Sequence, residues 1–154
     1  MDVEIFEAET FTLEAINDNG RIEKFIEIEP IMAILEITTI PEVPLFTYYP
    51  NSNRWRSYFT VAITETNGIG GFVLHFKVHL ITSGLENCDS TTQFDGPDFE
   101  PFGTAETPIK VSSSMSSTIQ VCEPWTMYIV FVVYDENDYR REIRVDVPIT
   151  KEEN

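Results

Sequence analysis

Residues 72–81 read FVLHFKVHLI and set the architecture of this chain. One set of alternate positions is apolar throughout: Phe72, Leu74, Phe76, Val78 and Leu80. The other set places His75, Lys77 and His79 between Val73 and Ile81. A period of two residues is typical of a β-strand that buries one face and leaves the other to solvent. We therefore predict a half-buried strand here.

Neighbouring segments extend this pattern along the chain. Residues 58–64 alternate in the same way, and the connection TNGIGG at 66–71 supplies glycines that accept the positive φ of a hairpin turn. Residues 127–134, MYIVFVVY, are apolar on both faces, which predicts a central strand covered on both sides. Residues 143–149 alternate again, and Pro148 suits a strand end or an edge. The expected core comprises Phe59, Val61, Ile63, Leu74, Phe76, Val78, Ile129 and Phe131.

The remaining segments are assigned from weaker signals. Residues 33–40 predict a strand that ends at Pro41, and short strands at 109–111 and 118–121 flank a serine-rich turn. Residues 85–108 are interrupted by glycine and proline, which predicts a long loop of the kind that often carries function. Residues 1–32 form an acidic hairpin or arm around the turn signal NDNG at 17–20, and residues 151–154 form a tail.

The net charge of the chain excludes some classes of binding partner. The chain has 154 residues, with 26 acidic against 10 basic residues and a net charge of -16. Phosphate backbones and anionic lipids would be repelled, so we expect no nucleic-acid partner. No apolar run reaches the roughly 20 residues that a membrane span needs. The start of the chain shows no signal peptide, which leaves a cytoplasmic protein or a secreted one whose signal has been removed.

Cys88 and Cys122 are the only cysteines, 34 positions apart and outside any CxxC pair. This spacing does not favour a cysteine metal site. Two alternatives remain open from the sequence: two free thiols, or one disulfide that closes the middle of the chain. A disulfide would imply an oxidising compartment.

Residues 57–81, in which YFTV at 58–61 leads into ETNGIGG at 65–71, resemble the B–C hairpin of bacterial extracellular immunoglobulin-like domains. Residues 118–149 resemble the E, F and G strands of the same domains. The resemblance implies an all-β, antiparallel immunoglobulin-like β-sandwich over residues 33–150, with the N-terminal hairpin or arm added in front. It also implies an extracellular or cell-surface module that serves as a spacer, an adhesin or a filament subunit.

Catalytic chemistry finds little support in the residues. No G-x-S-x-G elbow is present, and His75 and His79 would lie roughly 13 Å apart in a strand, too far to share one metal ion. We therefore expect no enzyme and no obligatory cofactor. A calcium ion is the candidate ligand of acidic loops, because hard cations prefer several oxygen ligands. The candidate residues are Asp89, Asp95, Asp98 and Glu100, together with Asp135, Asn137 and Asp138.

Two functions follow as hypotheses. The first is a non-enzymatic structural or adhesive surface module, with a homo-oligomer or another surface protein as partner. The alternative is a carbohydrate- or ligand-binding module that uses the 85–108 loop and the exposed aromatic residues Trp55, Phe99 and Phe102. Trp125 is expected in the core. The acidic arm either extends a sheet of its own molecule or pairs with a strand edge of a neighbouring copy. In the second case the mildly basic residues 51–84, which contain Arg54, Arg56 and Lys77, offer a surface of complementary charge.

Overall fold

The structure is a computed structural model that describes residues 9–17, 20–28, 31–82, 88–113 and 122–153. The chain divides into two compact units, Met1–Met32 and Ala33–Asn154. The described residues form strands, turns and one short 3-10 helix, Pro50–Ser52, with no α-helix. The prediction of an all-β protein is confirmed. The strand predicted at 118–121 lies outside the described residues.

The first unit contains one antiparallel hairpin. Its strands are β1 (Glu9–Asn17) and β2 (Gly20–Ile28), and Asn17 lies opposite Gly20 next to the predicted turn. The two strands form a two-stranded sheet of their own. Both alternatives for the acidic arm, extension of a sheet of its own molecule and pairing with a neighbouring copy, stay predictions.

The second unit contains ten strands. In chain order they are β3 (Leu35–Ile40), β4 (Leu45–Tyr49), β5 (Arg54–Glu65), β6 (Gly71–Thr82), β7 (Ser90–Asp95), β8 (Asp98–Phe99), β9 (Thr104–Ser112), β10 (Pro124–Asp135), β11 (Arg140–Val147) and β12 (Thr150–Glu153). One sheet has the order β11-β10-β6-β7, and β8 also pairs with β6. The other sheet has the order β12-β4-β5-β3. β9 also belongs to this sheet and pairs with β5 along the edge opposite to the one that pairs with β3.

Two predicted segment boundaries need correction. The 85–108 segment is not one long loop, because its described part contains β7, β8 and the start of β9. Gly96, Pro97, Pro101 and Gly103 lie in the turns between short strands, whereas Pro108 lies within β9. At one of these turns, a Cβ atom on residue Gly96 would lie 2.3 Å from the carbonyl oxygen of Val73. This distance is too short for any side chain, so only glycine fits at this position. Residues 151–153 are not a free tail, since β12 pairs with β4 in the one parallel ladder among the described strands; position 154 lies outside the described residues.

The hydrophobic core lies between the two five-stranded sheets. Its cluster of buried residues includes Phe46, Phe59 and Val61 from one sheet and Phe76, Ile129 and Phe131 from the other. The ring of Phe76 stacks on those of Phe94 and Phe131, with centroids 5.3 Å apart in both pairs. This packing confirms the predicted core positions with one exception.

Leu74 is the exception, since it is 50% exposed. The ladder between β6 and β10 shifts register between Val132 and Val133, so that His75 pairs with Val132 and Val73 pairs with Val133. Leu74 is the extra residue of a β-bulge in this ladder. The alternation of buried and exposed side chains therefore shifts by one position at Leu74. A second irregularity between Pro124 and Thr126 places Trp125 at 66% exposure, so the expectation that Trp125 is a core residue is wrong.

Cys88 and Cys122 form a disulfide, with Cα atoms 5.4 Å apart. Both cysteines are buried, just before β7 and β10 respectively. Because β7 and β10 flank β6 on opposite sides, the bridge joins the two neighbours of β6 at one end of the sheet. The disulfide alternative is therefore the one that the structure contains.

Candidate functional site

The outer face of β10 carries a groove of about 490 Å³, which we call the trough. Its lining residues are His75, Lys77 and His79 from β6, Tyr128, Val130 and Val132 from β10, and Arg140, Glu142 and Arg144 from β11. β10 is the central strand that its sequence predicted, paired on both sides. Among the described residues of the second unit, however, the other five-stranded sheet covers only its inner face, and its outer face forms the floor of this groove.

The strand register explains why a groove forms at this place. Val130 lies between Lys77 and Arg144, and Val132 lies between His75 and Glu142. Short valine side chains on the middle strand are thus flanked by long polar side chains on both neighbours. The two flanking strands are roughly 10 Å apart, twice the usual spacing of adjacent strands. The result is an apolar floor between two polar walls.

One end of the trough is closed by stacked side chains. The rings of His79 and Tyr128 are nearly parallel, 8° apart, with centroids 4.5 Å from each other. The guanidinium carbon of Arg144 lies 3.9 Å from the centroid of Tyr128, a cation–π contact. Arg144 also donates from Nη2 to Asp146 Oδ1 at 2.8 Å, and Thr91 Oγ1 lies 3.0 Å from His79 Nδ1. These contacts hold the guanidinium and the imidazole in fixed positions.

The trough is positively charged in a protein that is otherwise strongly acidic. It gathers both histidines and three of the ten Lys and Arg residues, against one carboxylate in its lining, Glu142. Burial lowers the pKa of His79 below its ordinary value of 6.5, and the nearby charges of Lys77 and Arg144 lower the pKa further. A lowered pKa keeps the imidazole of His79 uncharged at neutral pH, so the positive charge of the trough comes from Lys77, Arg140 and Arg144.

The sequence predicted only part of this site. It placed His75, Lys77 and His79 on one polar face of residues 72–81 and argued against a shared metal ion, but it did not pair these residues with Arg144. The signal was available in the alternating residues of β6 and β11. It could be read only with the strand order, which places β10 between these two strands.

The residues proposed for calcium serve different structural roles. Asp135 is buried, and its carboxylate accepts backbone N–H groups from Asn137 and Tyr139 at 3.0 Å and from Ala33 at 3.2 Å. The carboxylate of Asp89 accepts the backbone N–H of Thr82 at 2.8 Å.

The other candidate carboxylates lie elsewhere along the strands. Asp95 lies opposite His75, and Asp98 lies opposite Phe72. Asp138 has a positive φ of 58° in the turn after Asp135, and Glu100 is exposed just after β8. Within the described residues, no group of three or more His, Cys, Asp or Glu is placed to hold a metal ion. Calcium binding by these residues stays a prediction.

The three aromatic residues proposed for ligand binding are not brought together on an open surface. Trp55 and Phe99 are 4% and 3% exposed and belong to the hydrophobic core. Phe102 is 73% exposed, with a positive φ of 53° in the turn before β9. The prediction of an exposed platform built from all three aromatic residues is therefore wrong, because Trp55 and Phe99 pack between the sheets.

A second buried carboxylate, Glu65, organises the turn that follows β5. Its oxygens accept backbone N–H groups from Asn67 and Gly68 at 2.7 Å, Phe102 at 3.0 Å and Ile34 at 3.3 Å. Burial raises the pKa of this carboxyl, but the backbone hydrogen bonds together hold it below its ordinary value of 4.5. Glu65 is therefore an ionised structural residue that ties three chain segments together.

The comparisons with known proteins concern the fold. No protein-family model and no curated protein matches the chain. A Bordetella pertussis protein provisionally called ApaA has a solved structure that is 14% identical, with a TM-score of 0.53 over 76% of this chain and 94% of its own. A structural genomics target matches at 10% identity and a TM-score of 0.52, over 76% of this chain and 86% of its own. At these identities the likeness is one of fold alone.

Proposed function

We propose that this protein is a non-enzymatic structural or adhesive module of the cell surface, and that its trough binds an acidic segment of a partner polypeptide. The observation that carries the proposal is the charge of the trough. A chain with a net charge of -16 concentrates both histidines, Lys77, Arg140 and Arg144 around one apolar floor. Complementary charge steers association and selects the partner.

The shape of the trough favours a polypeptide over a compact anion. Its floor follows the direction of β10 and consists of valine side chains, whereas the cations stand along both walls. An extended segment presents side chains alternately on its two faces. It can therefore place apolar side chains on the floor and carboxylates against Lys77 or Arg140.

The strand order supports the immunoglobulin-like part of the proposal. The order β11-β10-β6-β7 corresponds to the G-F-C-C′ order of an immunoglobulin variable-type sheet. The disulfide between Cys88 and Cys122 supports an oxidising, extracellular location. No helix among the described residues is long and apolar enough to cross a membrane. Modules of this architecture commonly act as spacers or adhesins, which is an argument from analogy.

The carbohydrate-binding alternative is less well supported. Of its three aromatic residues, only Phe102 is available to stack on a sugar ring, because Trp55 and Phe99 are buried. The cationic trough, by contrast, needs no rearrangement to meet an acidic partner.

The proposal is tested by titrating the protein with a fluorescently labelled oligoglutamate peptide. The variant Lys77→Glu/Arg140→Glu changes the charge of the trough by four units, and Arg54→Glu/Lys110→Glu makes the same change on the other sheet. We expect the trough variant to weaken binding at least about tenfold, or about 1.4 kcal/mol, and the control to change it far less. Equal weakening in both variants, or no binding to the wild-type protein, would contradict the proposal.

A further inference from the structure

The N-terminal hairpin exposes apolar side chains that its own two strands cannot cover. Ile16, Ile22 and Phe25 are 73%, 68% and 67% exposed. An isolated two-stranded hairpin is at best marginally stable in water. Its strands β1 and β2 pair only with each other among the described strands. The hairpin therefore has a surface that binding to another molecule would stabilise.

One face of this hairpin combines apolar and acidic side chains. The register places Glu14 opposite Glu23, with the pair Ile16–Arg21 on one side of it and the pair Thr12–Phe25 on the other. Arg21 contacts both carboxylates, with Nε of Arg21 2.8 Å from Glu14. One cation between two carboxylates leaves this face negatively charged.

We infer that this hairpin face docks into the trough of a second copy of the chain. The inference rests on the proposed function and names the acidic partner. Residues 1–32 carry nine acidic and two basic residues, a net charge of -7, whereas the trough carries the opposite charge. Phe25 and Ile16 supply apolar side chains for the valine floor, and Glu14 and Glu23 supply carboxylates for the cationic walls.

Charge decides between the possible partners of the hairpin. Two hairpins packed against each other would bring two segments of net charge -7 together, which is repulsive. The trough is the surface where the described residues concentrate positive charge around an apolar floor. Contact between the hairpin of one copy and the trough of the next uses different surfaces on the two molecules. Such a heterologous contact closes into a ring or propagates as a filament.

The inference is tested with full-length protein by light scattering coupled to size exclusion over a range of concentrations. The hairpin variant is Ile16→Ser/Phe25→Ser and the trough variant is Lys77→Glu/Arg140→Glu. We expect the wild-type protein to be oligomeric and each variant alone to be monomeric. An equimolar mixture of the two variants retains one intact hairpin and one intact trough, so it should form a dimer and nothing larger. The control Arg54→Glu/Lys110→Glu should assemble like the wild type.

The outcomes separate this inference from the function on which it rests. A wild-type protein that stays monomeric at high concentration, or variants that do not complement each other, would overturn the hairpin–trough contact. If the wild type still binds oligoglutamate in that case, the trough recognises an acidic segment of another protein. If the hairpin variant is monomeric and binds oligoglutamate at least as tightly as the wild type, whose trough is occupied by a hairpin, the loss of assembly comes from the hairpin face, as the inference requires.

Discussion

Glu65 shows how single residues of this chain are held in charge states that the fold depends on. It is 1% exposed, yet backbone N–H groups from three segments surround its carboxylate. The side chain of Asp135 likewise accepts backbone N–H groups at the turn between β10 and β11. The two acidic side chains accept the N–H groups of the consecutive residues Ala33 and Ile34, so both anchor the start of the second unit.

The first prediction concerns Glu65→Gln. A neutral amide replaces charge-assisted hydrogen bonds with weaker ones, so we expect the free energy of unfolding at pH 7 to fall by about 2–3 kcal/mol. The folded-state pKa lies below 4.5, so the carboxylate contributes stability above about pH 4.5, and this contribution is lost as the pH falls through the folded pKa. The difference between wild type and variant should therefore shrink on acidification.

Urea unfolding at neutral and acidic pH measures this difference. Glu106→Gln is the matched control, because Glu106 is exposed on β9 and should give a small, nearly constant difference. A wild-type advantage over Glu65→Gln that stays the same down to pH 3 would contradict the role assigned to the ionised carboxylate.

At the scale of elements, the ladder between β6 and β10 explains what the sequence could and could not predict. Alternation correctly identified both strands and placed Phe76, Val78, Ile129 and Phe131 in the core. It failed at Leu74 and Trp125, because a β-bulge inserts a residue without any local change in hydrophobicity. The trough was not predicted for a related reason. Its walls come from β6 and β11, and the sequence does not show that these two strands lie on either side of β10.

The second prediction compares Phe76→Ala with Leu74→Ala. Phe76 is fully buried and stacked on two rings, so its truncation should cost about 3–5 kcal/mol of unfolding free energy. Leu74 is half exposed at the bulge, so the same truncation should cost less than about 1 kcal/mol. Chemical denaturation of both variants measures the contrast. Similar losses in the two variants would show that the bulge is placed wrongly.

The third prediction concerns the bridge between the two strands beside β6. The disulfide spans 34 positions, and its removal in Cys88→Ala/Cys122→Ala should cost about 3–4 kcal/mol by the chain-entropy argument. Thermal unfolding of the wild type with and without a reductant gives the same comparison. An unchanged melting temperature under both treatments would mean that the bridge does not constrain the chain.

For the whole molecule, the separation of charge is the organising feature. The net charge of -16 makes copies repel one another in general, whereas the acidic hairpin and the cationic trough are surfaces of opposite sign that attract. Binding through the trough should accordingly weaken as salt screens this attraction. The sequence predicted an acidic arm, the possibility that it pairs with another copy, and a mildly basic partner surface in residues 51–84, where Arg54, Arg56 and Lys77 lie. Of these three residues only Lys77 lines the trough, because Arg54 and Arg56 belong to β5 in the other sheet. The trough itself was not predicted, because its other cations come from β11 and only the strand order brings them to Lys77.

The most direct test of the trough as a recognition surface is a titration of isotopically labelled protein with oligoglutamate peptide, followed by NMR. We predict that shift changes concentrate on the backbone and side-chain signals of the trough: His75, Lys77, His79, Tyr128, Val130, Val132, Arg140, Glu142 and Arg144. The outer face of the other sheet, around Tyr58 and Lys110, should remain unchanged. Changes centred on that second face or on Phe102, with the trough signals unmoved, would contradict the account.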